Sequence, residues 1–552
     1  MKYYYSESLV IEKLDGFHLI QDHHGTNYKQ AWDDFGFIIT FNLYYVNENK
    51  KRKLGPLKVL INDYEDSSLF FKDKGISIES KFFDITDALN GKNIVSIGED
   101  IDFYKKINSL FNERLAEDIL VKICDAGYFN DRYAEYSAWK GFSGSFMRGS
   151  AASAILKKGF QIALGRYIPK KTFDITLSDL GDTFDDVCLK FDTSRAIGKS
   201  NINLLIGKNG VGKSHILKNL SEIITGVIDS KANPPYFHKL IIIAFSPFES
   251  FYTKSEVFEK ISNRYSETDE KENKKSEKSE KRKRLHVNEY SYIGFKNEDG
   301  HHDLNHPIKK SIESLIKVLQ YDKENSWWKE QSRLNVLKDT LALCIDFDTI
   351  FITTNEGEEI EIISDLKTNL LKDKIDFKKG IFFKKEGENL PLSSGQKIYS
   401  YMLPAIIAEL EEESLLVLDE PELYLHPELE VGLMNMLQHI LRETKSYAII
   451  ATHSAILARE VESKAITILR KSQGSTRSNI VSVETYGESL DIIIAEVFDD
   501  DYMVKPYQKE IDHYLKKSDS SIESIKELIG DDALAYALST MDEVDDIKIE
   551  DI

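Results

Sequence analysis

Cysteine is scarce in this chain. Cys124, Cys188 and Cys344 are all it has, far apart and never paired. That excludes a disulfide framework and argues against a zinc site, and a reducing cytoplasm is the expected compartment. Long apolar runs are missing too. None approaches the ~18 residues that a membrane span needs. The opening stretch, MKYYYSESLVIEKLDGF, has no apolar core of a secretory signal. No membrane contact is expected. No segment repeats with a period of roughly 20–50 residues, which excludes a solenoid. Positive charge is in deficit: 72 basic against 92 acidic residues, a net charge of −20. So acidic a chain does not coat nucleic acid with its whole surface, although a local basic groove is compatible with it.

What is present is a long globular chain. Its 552 residues, 41% apolar and 30% charged, suit a soluble protein. Such a length implies roughly two to four packed units. Residues 1–170 read as an α+β region, with strands at Phe35–Tyr45 and Leu57–Ile61. An amphipathic stretch runs from Phe103 to Ala126, where Ile107, Leu110, Phe111, Leu115, Ile119 and Ile123 recur at helical spacing. Core packing accounts for that stripe. Short strands follow at Phe173–Leu177, Val187–Phe191, Ile202–Ile206 and Leu240–Phe245. Residues 171–250 form one lobe. Residues 251–385 read as a helical insertion with two helices over 307–345, Trp327 and Trp328 starting the second. Within it, 264–284 (RYSETDEKENKKSEKSEKRKR) has almost nothing apolar and reads as a mobile charged loop. Its end, Lys281–Arg284, is either a solvated run or a contact for nucleic acid or a partner. Helices and strands alternate again over 386–490, and 491–552 is a helical tail with an acidic end.

Four motifs carry chemistry. Gly207-Lys208-Asn209-Gly210-Val211-Gly212-Lys213-Ser214 matches the P-loop pattern in full, after an apolar strand and before a helix. Its glycines let backbone N–H groups turn inward around phosphates, at the positive end of a helix. Lys213 should reach the β- and γ-phosphates, and Ser214 should ligate magnesium. A chance match in this chain has a probability of roughly 0.02, so the motif stands even alone. Leu415–Leu418 then leads into Asp419 and Glu420. Two carboxylates at the C-terminal end of a buried parallel strand lie where open α/β sheets bind ligands. Asp419 should hold magnesium, and Glu420 is the candidate general base. Leu392-Ser393-Ser394-Gly395-Gln396 precedes a helix pattern, and His453 follows another apolar strand in AIIATHS.

Together these motifs resemble the ABC ATPase superfamily over roughly 172–250 and 385–490. LSSGQ is similar to the family's signature, usually LSGGQ, with Ser394 in place of glycine. The resemblance implies an α/β fold: an ABC-type P-loop ATPase head with a helical insertion and an N-terminal α+β region. It implies ATP and Mg2+ as ligands, with His453 as the switch histidine at the γ-phosphate. Gly207, Asn209, Gly210, Gly212, Lys213 and Ser214 would hold nucleotide, as would Ser393, Gly395 and Gln396. Ser393 and Gly395 would act in trans, so a homodimer or higher homo-oligomer is expected. One family element is missing. Where a glutamine usually follows the second core strand, this chain has Phe245-Ser246-Pro247-Phe248-Glu249, with Ser246 as a short substitute ligand.

Asp419-Glu420-Pro421-Glu422-Leu423-Tyr424-Leu425-His426-Pro427 resembles the DEPE-x-x-LHP block of a bacterial branch of these ATPases. That branch includes overcoming-lysogenization-defect nucleases and anti-phage ATPase subunits. After His453 there is no clear acidic constellation for a nuclease, since Asp499, Asp500 and Asp501 are merely consecutive. The pattern is most similar to PtuA-type ATPases of Septu and retron-associated defence systems. That resemblance implies an ATPase without nuclease activity of its own. It also implies a separate HNH nuclease partner (PtuB-like), with or without a reverse transcriptase and its RNA–DNA product. Two other readings stay open: a repair or recombination ATPase clamping DNA, and a standalone effector with an unrecognised nuclease site.

Overall fold

Four consecutive apolar residues, Leu415–Leu418, can be buried on both faces only inside a sheet covered on both sides. The computed structural model describes residues 1–26, 28–34, 36–89, 92–147, 150–178, 180–198, 201–228, 235, 237–268, 290–329, 331–366, 373–498, 504–516 and 522–550. It places Leu415–Asp419 within such a sheet.

The chain begins with a seven-stranded sheet of its own. Its strands are β1 (Tyr3–Ser6), β2 (Gly16–Gln21), β3 (Thr40–Asn47), β4 (Lys50–Ile61), β5 (Ile76–Glu79), β6 (Phe82–Asp84) and β7 (Ile94–Gly98). They lie in the order β5-β6-β1-β2-β3-β4-β7. Of the strand expected over Phe35–Tyr45, Thr40–Tyr45 lie in β3, and Phe35 lies outside the described residues. The one expected at Leu57–Ile61 is the end of a strand that begins at Lys50, its first half hidden by charge. The amphipathic stretch from Phe103 is two helices, Ile101–Leu110 and Glu113–Lys122. Between them Phe111 is extended, and the Asn112 side chain caps the second helix by accepting from Leu115 N–H. The hydrophobic stripe survives this break because both helices pack on one core, with Ile107, Phe111, Ile119 and Ile123 buried.

A hairpin of β8 (Thr172–Leu177) and β9 (Val187–Asp192) leads into the central sheet. That sheet takes β10 (Ile202–Gly207), β11 (Leu240–Ala244) and β12 (Tyr290–Gly294). A four-stranded antiparallel sheet intervenes: β13 (Thr349–Thr353), β14 (Glu359–Glu361), β15 (Phe382–Lys385) and β16 (Glu388–Asn389). Then come β17 (Leu415–Asp419), β18 (Tyr447–Thr452), β19 (Ile466–Ser472) and β20 (Ser475–Ile480). The order is β12-β11-β17-β18-β10-β19-β20, parallel except for the last pair. Alternate side chains face opposite cores. Leu416 and Leu418 pack with Met402 and Leu433 of the helices Ser394–Glu409 and Pro427–Glu443. Leu415 and Val417 pack with Leu217 and Leu220 of the helix Lys213–Thr225.

The segment 251–385 is not helical throughout, since it supplies β12 and most of the small sheet. Its first helix runs Lys254–Thr268, so the charged loop expected from 264 begins no earlier than 269. Residues 269–284, including Lys281–Arg284, lie outside the described residues, as do Asp499, Asp500 and Asp501. The two later helices are His306–Asn325 and Arg333–Ala342, and Trp327 and Trp328 sit in the turn between them. Ser332 caps the second helix, and Trp328 Nε1 donates to Asn325. Trp327 packs against the N-terminal core, under the guanidinium of Arg52. The tail over 491–552 contains the helices Pro506–Leu515, Ile522–Ile525 and Asp531–Glu550.

The N-terminal region is tied to the turn that precedes β17. Lys158 Nζ lies 2.8 Å from a Glu413 oxygen that also accepts from Tyr167 OH at 3.1 Å. Lys105 pairs with Glu412 at 3.0 Å, and Tyr321 OH donates to Asp102 at 2.9 Å. Lys158 and Glu413 are nearly buried, with side-chain exposures of 11% and 12%. Lys158→Met should therefore cost about 2–3 kcal/mol by leaving a buried carboxylate short of its counter-charge. Urea denaturation followed by tryptophan fluorescence tests this, and an unshifted midpoint would remove the contact from the stability account.

Candidate nucleotide site

Parallel pairing brings the motif ends together. Ile206 pairs with Thr452, and Asp419 pairs with both Ala451 and Ala244. The C-terminal ends of β10, β17, β18 and β11 are thus level along one edge of the sheet. Gly207, Asp419, Glu420 and His453 all emerge there.

The loop after β10 needs its glycines for different reasons. Gly210 has φ +78° and Gly212 φ +101°, both left-handed. A Cβ on Gly212 would also come within 2.6 Å of the Phe184 ring, and one on Gly207 within 2.6 Å of the Leu469 carbonyl oxygen. Thr476 on β20 donates to Val211 O at 2.9 Å and pins the loop from beside. The helix Lys213–Thr225 starts at Gly212 with no side-chain cap, so its first turn faces the loop with unspent positive potential. Asn209 is exposed on the rim.

Lys213 is the buried cation of the site, 5% exposed. Its Nζ donates to Gly207 O at 3.1 Å, lies 2.5 Å from His453 Nε2 and stands 3.9 Å from Glu420. Burial depresses its pKa, and the charges of Glu420, Asp419 and Glu422 act against that. Burial first, and then the Lys213 charge, also lower the pKa of His453. The imidazole is therefore neutral near pH 7, with Nε2 as the acceptor for Lys213. Its 3.4 Å approach to Glu420 then sets two acceptors side by side, with the Lys213 ammonium close to both. Ser214 Oγ donates to Asp419 at 3.1 Å. Asp419 is pushed up to about 6, by burial first, with the charges of Glu420 and Glu249 adding to it. A hydroxyl and a carboxylate side by side suit a small hard cation such as Mg2+, and the raised carboxyl shows that positive charge is wanted there.

Two features were not legible in the motifs. Glu420 has φ +47°, a left-handed backbone that a non-glycine residue adopts at a cost of about 1–2 kcal/mol. Its N–H donates to Ala451 O at 2.9 Å, which fixes that conformation. Glu422 is the second. One of its oxygens accepts from both Thr452 OH and His453 N–H, each at 2.7 Å, while the other is buried without a hydrogen-bond partner among the described residues. Glu422 is a positioning residue for His453. Its place two residues after Glu420 was the only sequence signal for it.

The other sequence-derived residues fall elsewhere. Ser393 caps the helix Ser394–Glu409 and forms a reciprocal capping box with Gln396, whose amide also donates to Cys344 O. Gly395 is packed under Leu429 and Leu425, where a Cβ would approach to 2.7 Å and 3.2 Å. These three residues make no hydrogen bond to Gly207–Ser214 among the described residues. Ser246 is engaged in its own turn, accepting from Phe248 N–H at 3.3 Å. The buried acid of that segment is Glu249, held by Tyr292 OH at 2.9 Å and Lys296 at 3.1 Å.

The raised carboxyl of Asp419 has a signed consequence. Its folded value lies above its unfolded one, so metal-free protein gains stability as pH falls through about 6 and loses it again as pH rises. Asp419→Asn should raise the stability of metal-free protein at pH 7.5 by on the order of 2 kcal/mol, with roughly half of that gain left at pH 5, where the unfolded carboxyl, near 3.8, is still ionised. Thermal melts in chelator at the two pH values check this. In the unsubstituted protein Mg2+ affinity should weaken below pH 6, because the cation then competes with a proton.

Residues 202–459 match the family model described as "AAA domain, putative AbiEii toxin, Type IV TA system". The chain is 24% identical over 494 residues to protein ea59 of Escherichia phage lambda, covering 85% of each sequence. Among solved structures, it is similar to an ATP-binding cassette of an ABC transporter in its ADP conformation. The identity is 13%, covering 63% of this chain and 100% of that one, with a TM-score of 0.27. The SMC head domain from Thermotoga maritima matches at 14% identity over 57% of this chain and 100% of that one, with a TM-score of 0.26. Among the described residues no helix is long and apolar enough to cross a membrane. Residues 202–459 thus resemble an AAA-type, AbiEii-like ATPase domain, and the sheet order with its strand–glycine loop–helix is a P-loop α/β fold.

Proposed function

We propose that this chain is the ATP-hydrolysing subunit of an anti-phage defence complex, and that the nucleotide state of two ATPase heads governs a separate nuclease. One observation carries the catalytic part. Lys213, Asp419, Glu420 and His453 converge at the level ends of adjacent parallel strands. Lys213 binds the β- and γ-phosphate oxygens. Ser214 and Asp419 would hold Mg2+, which would neutralise charge on the phosphates. Glu420 accepts the proton of the attacking water; its side chain is 27% exposed, so water reaches it. Neutral His453, fixed through its backbone by Glu422, donates or accepts at the γ-phosphate as the geometry closes.

The dimer reading rests on the signature. Ser393 and Ser394 are exposed at the N-terminus of the helix Ser394–Glu409, which supports their use by a second head. Two heads that close on ATP form a bistable element, and a partner that prefers one state shifts the balance. The defence context is supported by the DEPE-x-x-LHP resemblance and by a matching family whose description names a toxin. A phage-encoded relative also aligns well beyond the ATPase domain. The partner is an HNH nuclease, alone or with a reverse transcriptase and its RNA–DNA product.

Glu420→Gln should retain ATP binding and lower kcat by about 10²–10⁴-fold, while Lys213→Ala should lose binding. Normal turnover by Glu420→Gln would end the general-base assignment. Tagged Glu420→Gln protein, recovered with ATP and Mg2+ from its native host, should carry an HNH nuclease. Recovery with chromosomal DNA alone, and hydrolysis stimulated by DNA without a protein partner, would mark a repair-type clamp instead.

A further inference from the structure

A second polar cavity, of about 210 Å³, opens beside the edge strand β12, lined by none of the P-loop residues. Lysine dominates it. Lys254, Lys296, Lys310 and Lys317 line the wall against two glutamates, Glu298 and Glu409, in a chain whose overall charge is −20. Two helices begin at the wall. Lys254 opens the helix Lys254–Thr268, and His306 opens the helix His306–Asn325, where Asn305 supplies no side-chain cap. Each contributes the positive end of a helix dipole to the same space. His306, Lys310 and Lys317 follow at spacings that put them on one face of their helix.

These cations crowd one another. Burial first, and then the charges of Lys239 and, after the opposing Glu409, Lys317, hold the Lys254 ammonium below its usual range. Burial, and then Lys310, do the same to His306. The ion pairs leave room for an anion. Lys310 is 3.9 Å from Glu298, a loose contact, and Lys317, paired with Glu409 at 2.8 Å, is still half exposed at 52% with further N–H donors to offer. The hydroxyls of Thr253 and Ser291 add polar groups to the wall, while the Tyr292 hydroxyl donates to Glu249. A phosphate group, with several acceptor oxygens and up to two negative charges, matches this set of donors better than a carboxylate does. The volume leaves room for a small organic group beside it.

We propose that this cavity is a second phosphate site, distinct from the P-loop, that takes a small phosphorylated molecule. Its wall is joined to the nucleotide site: Tyr292 and Lys296 are the two side chains that hold buried Glu249, in the segment after β11.

The test is calorimetric titration of the full-length Lys213→Ala protein, whose P-loop no longer competes, with pyrophosphate and with AMP. One saturable site per chain is expected. Adding Lys310→Gln and Lys317→Gln should weaken it by about tenfold or more. If that combination does not fold, Lys317→Gln alone, at a half-exposed position, should weaken binding in the same direction. The proposal is overturned by an absence of saturable binding, or by unchanged affinity in the glutamine variants. It is also overturned if a 5′-phosphorylated oligonucleotide takes the site while pyrophosphate and AMP do not.

Discussion

The strand Leu415–Asp419 is constrained on all sides, and the rest of the molecule is arranged around it. Both faces are buried, and both edges are paired in parallel with β11 and β18. Sliding it by one residue would exchange its two core faces and break two ladders at once. At its start, Ser414 is fully buried, and the preceding acids Glu412 and Glu413 are gripped by Lys105, Lys158 and Tyr167 of the N-terminal region. At its end stand Asp419 and Glu420. The N-terminal region and the carboxylates of Asp419 and Glu420 are thus attached to opposite ends of one strand.

The nucleotide site is an assembly of groups held away from their comfortable charge states. Burial weakens the charge of Lys213, neutralises His453 and raises Asp419 and Glu422. A protein pocket whose cation and acids are both under-compensated is matched by a ligand that brings both signs, phosphate oxygens for Lys213 and a cation for Asp419. The left-handed backbone at Glu420 belongs to the same logic. It re-aims a carboxylate off the strand axis toward Lys213 and His453, and the Ala451 hydrogen bond holds it there.

The N-terminal sheet is more than an appendage. Its core is rich in aromatic rings: Phe17 stacks on Tyr3 at 4.8 Å and meets Tyr45 and Phe111. It receives Trp327 from the turn of the insertion. The insertion touches the N-terminal region through Tyr321 and Trp327, and the ATPase core through Arg333, which donates to Ile407 O and Ala408 O. Movement of the insertion is therefore shared between both.

The motifs were legible because their chemistry is local. Four apolar residues ending in Asp419 and Glu420 read as a buried strand with acids at its tip, and a full P-loop pattern between a strand and a helix reads as an anion cradle. The strands β10, β11, β17 and β18 followed from unbroken apolar runs for the same reason. Local pattern failed where distant contacts decide the outcome. The charged first half of β4 is a strand because β3 pairs with it, and Asn112 ends one helix and caps the next inside an unbroken hydrophobic stripe. Trp327 looked like a helix residue and is a turn residue anchored in another core. By itself the sequence determined where the P-loop pattern, the strand ending in Asp419 and Glu420, and the strand ending before His453 lie. Only the tertiary structure decided that Glu422 holds His453, that Glu249 is locked by Lys296, and that lysines from three segments line one cavity. Those relations depend on side chains brought together by sheet order, and no spacing along the chain encodes that.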